Sequence, residues 1–72
     1  MIRFDARALH ARLDAQRIAR GLTWRQVSAE TGVSAATMQR TQQGGRLEVD
    51  GMLAMVRWLG AAVEDFVGEA PR

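Results

Sequence analysis

Apolar residues recur at helical spacing in five places along the chain. The first stretch runs from about Ala6 to Arg20, with Leu9 and Leu13 one turn apart. Asp5 is its expected N-cap and Gly21 its C-terminal glycine. The second opens at "LTWRQV". Thr23 and Gln26, three residues apart, predict a capping box, and Leu22 with Val27 predicts the apolar staple around it. It ends near Thr31, where Gly32 supplies a sharp turn. The third starts at Ser34, another N-cap, with Val33 and Met38 as a second staple, and ends near Gln43 before "GGR". The fourth spans Val49 to Leu59, with apolar residues at 49, 52, 53, 56 and 59, and Gly60 stops it. A short fifth helix is expected over Val63 to Val67. No strand pattern runs longer than "MIRF". The expected architecture is all-α and compact, made of short helices.

Length and charge sharpen this picture. A chain of 72 residues makes one domain. At this size only about 60% of the unfolded surface is buried, so dimerisation is a common source of added stability. The net charge is +2 but unevenly placed. Residues 1–46 hold eight Arg against Asp5, Asp14 and Glu30, which gives +5. Residues 47–72 hold two Arg against five acids, which gives −3. One half is therefore expected to face a polyanion and the other not. There is no cysteine, which excludes a disulfide framework and cysteine-based zinc sites. The charged N-terminus does not read as a signal peptide, and no segment is apolar enough for a membrane span. The expectation is a cytoplasmic protein.

Trp24 to Thr41 has the layout of two short helices joined by a three- to four-residue turn at Gly32. This helix-turn-helix layout presents its second helix to a DNA major groove. Each physical demand has a residue. Ser28, four before the glycine, is small enough for close helix approach. Gly32 can adopt the left-handed conformation. Val33 plugs the joint and Met38 faces inward.

The stretch "RGLTWRQVSAETGVSAATMQRTQQGGRLEVDGMLAMVRWLGAAVEDFV", from Arg20 to Val67, closely resembles the Cro and phage-repressor type of helix-turn-helix, the XRE family. With Leu9, Leu13 and Arg17 upstream, the resemblance covers about residues 8–67. Residues 1–7 then form an N-terminal extension and 68–72 a tail. The resemblance implies a five-helix bundle, usually a homodimer, that binds double-stranded operator DNA as a bacterial or phage transcriptional regulator, here expected to be a repressor. Ser34, Ala35, Ala36, Gln39 and Arg40 stand at positions that read bases. Thr23, Trp24, Arg25, Thr37, Gln43 and Arg46 stand at positions that grip phosphate, with Gly44 in the same loop. Trp24 replaces a family glutamine, so Arg25 is expected to take over its phosphate. The family often pairs an Arg of helix 1 with a Glu near the end of the reading helix. Here Arg17 would meet Gln42, leaving at best a hydrogen bond. A family proline is absent near Leu47, and the usual Ser or Thr cap before helix 5 is Ala62.

The alanines admit two readings. An Ala methyl can pack on a thymine methyl, leaving directional hydrogen bonds to Gln39 on adenine and Arg40 on guanine or phosphate. Alternatively, Ala35 and Ala36 are only good helix formers. Arg25, Arg40 and Arg46 are expected on the groove side, and Arg7, Arg12 and Arg20 on a solvated face.

In the fourth helix, a core face centred on Val49, Leu53 and Val56 puts Trp58 about 180° from Val49. Met55 then shares Trp58's flank. A helix apolar on both faces is buried on both. The expectation is a two-fold dimer contact of Met55, Trp58, Val63 and Phe66. In the other reading, Trp58 folds back over the domain or meets "MIRF". The same apolar surface around Met55, Trp58 and Phe66 suits a second function class, a protein-interaction module of antitoxin or regulator-partner type.

In the extension, Ile2 and Phe4 alternate as a short strand or packing arm would, and Arg3 could enter a minor groove. His10 is read as a surface helix residue, with no carboxylate pair or cysteine to make it a metal ligand. No nucleophile–base–acid arrangement or phosphate-loop pattern is present, so no enzyme activity, cofactor or small-molecule effector is expected.

Overall fold

The computed structural model describes residues 2–69. The elements are a strand β1 (Ile2–Phe4), helices α1 (Ala6–Ala19), α2 (Trp24–Thr31), α3 (Ala35–Thr41) and α4 (Val49–Leu59), a 3₁₀ turn (Val63–Phe66), and a strand β2 (Val67–Glu69). The domain is mostly helical, with four α-helices and a two-stranded sheet.

Local chemistry sets most boundaries. The Asp5 carboxylate accepts from Ala8 N–H at 3.0 Å and starts α1. At its end, Gly21 N–H reaches Ile18 O and Leu22 N–H reaches Arg17 O, closing the helix through a left-handed glycine. The same pair of bonds ends α4, from Gly60 to Arg57 O and from Ala61 to Val56 O. Helix α3 stops at Thr41, two residues before the sequence suggests, and a run of turns carries the chain to Gly44.

The expected fifth helix is a single 3₁₀ turn. Ala62 has no side-chain acceptor to start a longer helix. Its own N–H is bound by Asp65 Oδ2 at 3.1 Å. The carbonyl of Phe66 is then taken by Asp5 N–H at 2.7 Å, which draws the chain into an extended path. Strands β1 and β2 pair antiparallel, with Ile2 opposite Glu69, Arg3 opposite Gly68 and Phe4 opposite Val67. The N-terminal segment is thus folded onto the domain, and the Phe4 ring lies 5.6 Å from that of Phe66. Of the expected tail, Gly68 and Glu69 belong to β2, and 70–72 lie outside the described residues.

The core gathers Leu9 and Leu13 of α1, Val27 of α2, Val33 of the turn, Met38 of α3, Met55 and Val56 of α4, and Phe66. This overturns the expected phase of α4. Met55 is fully buried, whereas Val49 is 61% and Leu53 46% exposed. Apolar and small residues cover an arc of roughly 260° on this helix, wider than one core-facing stripe needs. Such an arc leaves several phases open, and packing against α1 and α2 selects the side holding Met52, Met55, Val56 and Leu59.

Two residues of the expected dimer contact are withdrawn with it. Met55 and Phe66 are core residues, and Trp58 and Val63 are half-buried against that core. Trp58 folds back over its own domain. Its indole Nε1–H donates to Glu30 Oε1 at 2.9 Å, and Arg20 donates to the same oxygen at 3.0 Å. The Arg20 guanidinium also lies 5.4 Å from the Trp58 ring centre. Among the described residues no helix is long and apolar enough to cross a membrane.

Candidate nucleic-acid interface

Helices α2 and α3 are joined by three residues, Gly32 to Ser34. Gly32 takes a φ of 76°, a conformation that β-carbon-bearing residues adopt at a cost. Hydroxyl groups then lock the joint. Ser28 Oγ donates to Val33 O at 2.6 Å. Thr31 Oγ1 donates to Val27 O at 3.0 Å and accepts from Val33 N–H at 3.1 Å. Ser28 thus does more than permit close approach: it ties α2 to the turn. The capping box at the start of α2 is formed, with Thr23 N–H to Gln26 Oε1 at 2.8 Å and Gln26 N–H to Thr23 Oγ1 at 3.1 Å.

Helix α3 buries Met38 and Thr41 and turns the rest outward. Ser34, Ala36, Gln39 and Arg40 are exposed, and Ala35 and Thr37 are half-buried. Ser34 Oγ accepts from Thr37 N–H at 3.1 Å and lies 2.8 Å from Thr37 Oγ1. Arg40 Nη2 donates to Thr37 Oγ1 at 3.1 Å. A ladder of hydroxyls therefore lays the Arg40 guanidinium along the helix, with most of its five N–H donors left over.

The flanks differ from expectation in three places. Trp24 is half-buried and packs against the core. Its ring stacks on His10 at 5.2 Å and lies 4.9 Å from the Arg17 guanidinium. Trp24 is thus a packing residue and a poor phosphate ligand. His10 is not a free surface residue either: it is half-buried and its Nε2 is buried without a partner. The signal was present, because His10 and Arg17 are seven residues apart and so share one face of α1. Second, Arg17 does not bond Gln42. It pairs with Asp14 at 2.7 Å and donates to Leu22 O at 2.9 Å. Asp14 is a charged acceptor one turn away on the same helix, whereas Gln42 offers only a neutral one. Third, Arg7 is not a solvated bystander. Its Nη2 donates to Gln43 O at 3.2 Å, and a β-carbon on Gly44 would sit 2.9 Å from its Nε. Arg7 is the support beneath the loop after α3, and nothing in its helical spacing marked it.

Six of the arginines fall into two groups, and Arg3 and Arg57 likewise form no ion pair among the described residues. Arg12 pairs with Asp65, Arg17 with Asp14 and Arg20 with Glu30. The Glu30 carboxyl is held below its ordinary value, first by the Trp58 hydrogen bond and then by Arg20. Arg25, Arg40 and Arg46 are exposed and form no ion pair among the described residues. From Thr31 to Leu47 the chain contains no Asp or Glu. The outer side of α3 and its flanks therefore offer guanidinium groups, the Gln39 amide, hydroxyls and two methyls, with no carboxylate from the same segment to neutralise them. Such a set suits phosphate oxygens and base edges.

No protein-family model, no curated protein and no solved structure matches this chain.

Proposed function

We propose that this protein is a helix-turn-helix regulator that binds double-stranded DNA, with α3 lying in the major groove. The observation that carries the reading is the sorting of the arginines. Those on α1 are tied to acids or to a loop carbonyl, while those on α2, α3 and the following loop are left unpaired beside an acid-free surface. Gln39 and Arg40 are the directional readers in this reading, Ala35 and Ala36 supply methyl contact, and Arg25 and Arg46 grip phosphate. Thr23, Thr37, Ser34 and Gln43 hold the frame that aims them. Transcriptional repression is the biological role this reading implies. The alternative, a protein-interaction module around Met55, Trp58 and Phe66, has less support, since Met55 and Phe66 are buried and half-buried Trp58 is bonded to Glu30.

Selection from a random duplex pool at about 50 and 200 mM salt tests the proposal. The expected result is an enriched motif and an affinity that falls steeply as salt rises. Arg46→Gln should lower the logarithmic salt slope by about one, as for one lost phosphate contact. Gln39→Ala should relax base preference at one position and leave the slope unchanged. Absence of binding at both salt concentrations would overturn the reading.

A further inference from the structure

The strand β1 has a partner on one side only. Its residues alternate apolar, basic, apolar, as Ile2, Arg3 and Phe4. Continued by one residue, its register with β2 sets Asp5 opposite Phe66, and Asp5 N–H donates to Phe66 O at 2.7 Å. Hydrogen-bonded pairs alternate along an antiparallel ladder, so Arg3 shares the phase of Asp5 and turns its backbone groups toward β2. Ile2 and Phe4 turn theirs the other way, to an edge that carries no strand among the described residues. Across the ladder Arg3 meets Gly68, which offers it no counter-charge. Arg3 forms no ion pair among the described residues.

A groove of about 440 Å³ follows this edge. One wall is β1, the other is Gly44 to Leu47 with Met52, and no residue of β2 lines it. Ile2 and Arg3 stand on opposite faces of the strand, yet both border the groove. The groove therefore lies at the edge of β1 rather than over one face. Ile2, Phe4, Leu47 and Met52 make it apolar, and Ile2 is 72% exposed. Arg3 and Arg46 are exposed at its rim. Its other lining residues are Gly and Ala, so no carboxylate borders it.

We propose that the free edge of β1 is a docking site for an extended segment of another protein, added as a strand, in which apolar and acidic residues alternate. The backbone of Ile2 and Phe4 supplies two donors and two acceptors for such a strand. The alternation follows from β1 itself. Every second side chain of an added strand lies on the Ile2–Phe4 face, where an apolar group extends the surface. The rest lie on the Arg3 face, where a carboxylate meets the guanidinium that Gly68 leaves uncompensated. Arg46 on the opposite wall favours the same charge. A second copy of β1 paired at its centre would set Arg3 against Arg3, so the edge selects against self-association. The contact is small, so the affinity is weak. This inference goes beyond DNA binding and does not rest on it.

Titration of the isotope-labelled full chain with the capped peptide acetyl-Val-Glu-Val-Glu-Val-amide, followed by backbone-amide NMR without DNA, tests it. Saturable shifts are expected at the amides of Ile2 and Phe4 and along Gly44 to Leu47. Acetyl-Val-Lys-Val-Lys-Val-amide should bind about tenfold more weakly. Arg3→Glu changes an exposed side chain and should keep the helical circular dichroism spectrum. It should reverse the preference, weakening the acidic peptide about tenfold and admitting the lysine peptide. An added strand uses only alternate amides against its neighbour. Of two acidic peptides N-methylated at opposite alternate positions, one should therefore bind like the parent and the other should not bind. No saturable shift at Ile2 and Phe4 up to about 5 mM peptide overturns the proposal. So does equal binding of the acidic and lysine peptides, or an unchanged preference in Arg3→Glu. Equal binding of the two methylated peptides also overturns it, because the groove would then hold side chains without adding a strand.

Discussion

The α2–α3 unit and the single helix α4 are specified in different ways. In the first, every boundary is set by a bond between residues no more than five apart. Thr23 meets Gln26, Ser28 meets Val33, Thr31 meets Val33 and Ser34 meets Thr37. In α4 the C-terminal end is equally local, but Glu48 makes no side-chain cap at the start and the rotation of the helix is decided by what α1 and α2 bring against it. A capping motif is a short-range rule with one solution. A wide apolar arc is a long-range rule with several.

Breaking the helix whose phase is non-local gives the largest effect. Met55→Ala should cost about 3 kcal/mol by urea denaturation, as for a long apolar side chain removed from a full core. Leu53→Ala, measured at low protein concentration, should cost under about 0.5 kcal/mol, as for an exposed position. The opposite ranking would return α4 to the phase its sequence pattern first suggests. The local unit responds less. Gly32→Ala meets open space at its β-carbon, so its cost is backbone strain alone, about 1–2 kcal/mol. A change well beyond that would show that the joint carries packing as well as geometry. Thr23→Ala removes one half of the capping box and should cost about 1 kcal/mol by the same measurement.

The smallest effect sits where the two regions touch, at Glu30 between Arg20 and Trp58. Its carboxyl is held below the ordinary 4.5 in the folded protein. A lowered folded value means the contribution is present above the unfolded value and is lost as pH falls through the folded one. Glu30→Gln should therefore be slightly less stable than wild type at about pH 7, and the difference should shrink as the pH falls below the unfolded value and through the lower folded one. A difference that persisted in acid would assign the loss to the shape of the Trp58 hydrogen bond rather than to charge.

These contrasts explain what could be read in advance. The four α-helices, their caps and the joint at Gly32 were legible because Asp5, Thr23, Ser34 and the left-handed glycines act on near neighbours. The 3₁₀ turn was half legible: Ala62 was visible as a missing cap, but its partner in shortening the helix is Asp5, sixty-one residues from Phe66. Around the candidate interface, the exposed side chains of α3 and its flanks lie in a continuous segment. The supports do not. Arg7 under Gly44, and His10 and Arg17 against Trp24, come from α1, and only the fold brings them there. The place of Trp24 was carried over from the family position, and its packing on His10 and Arg17 depends on another helix.

The pairing of Ile2–Phe4 with Val67–Glu69 has a kinetic meaning. Closing a chain between residues so distant in sequence has the highest entropic cost of any contact in the domain and returns only a few hydrogen bonds. The helices can assemble first, each within reach of its neighbours, and the two strands then fasten around a structure already formed. On unfolding the order reverses. The pair is a clasp: last to shut, first to open, and able to part while Leu9, Leu13 and Met38 still hold the centre.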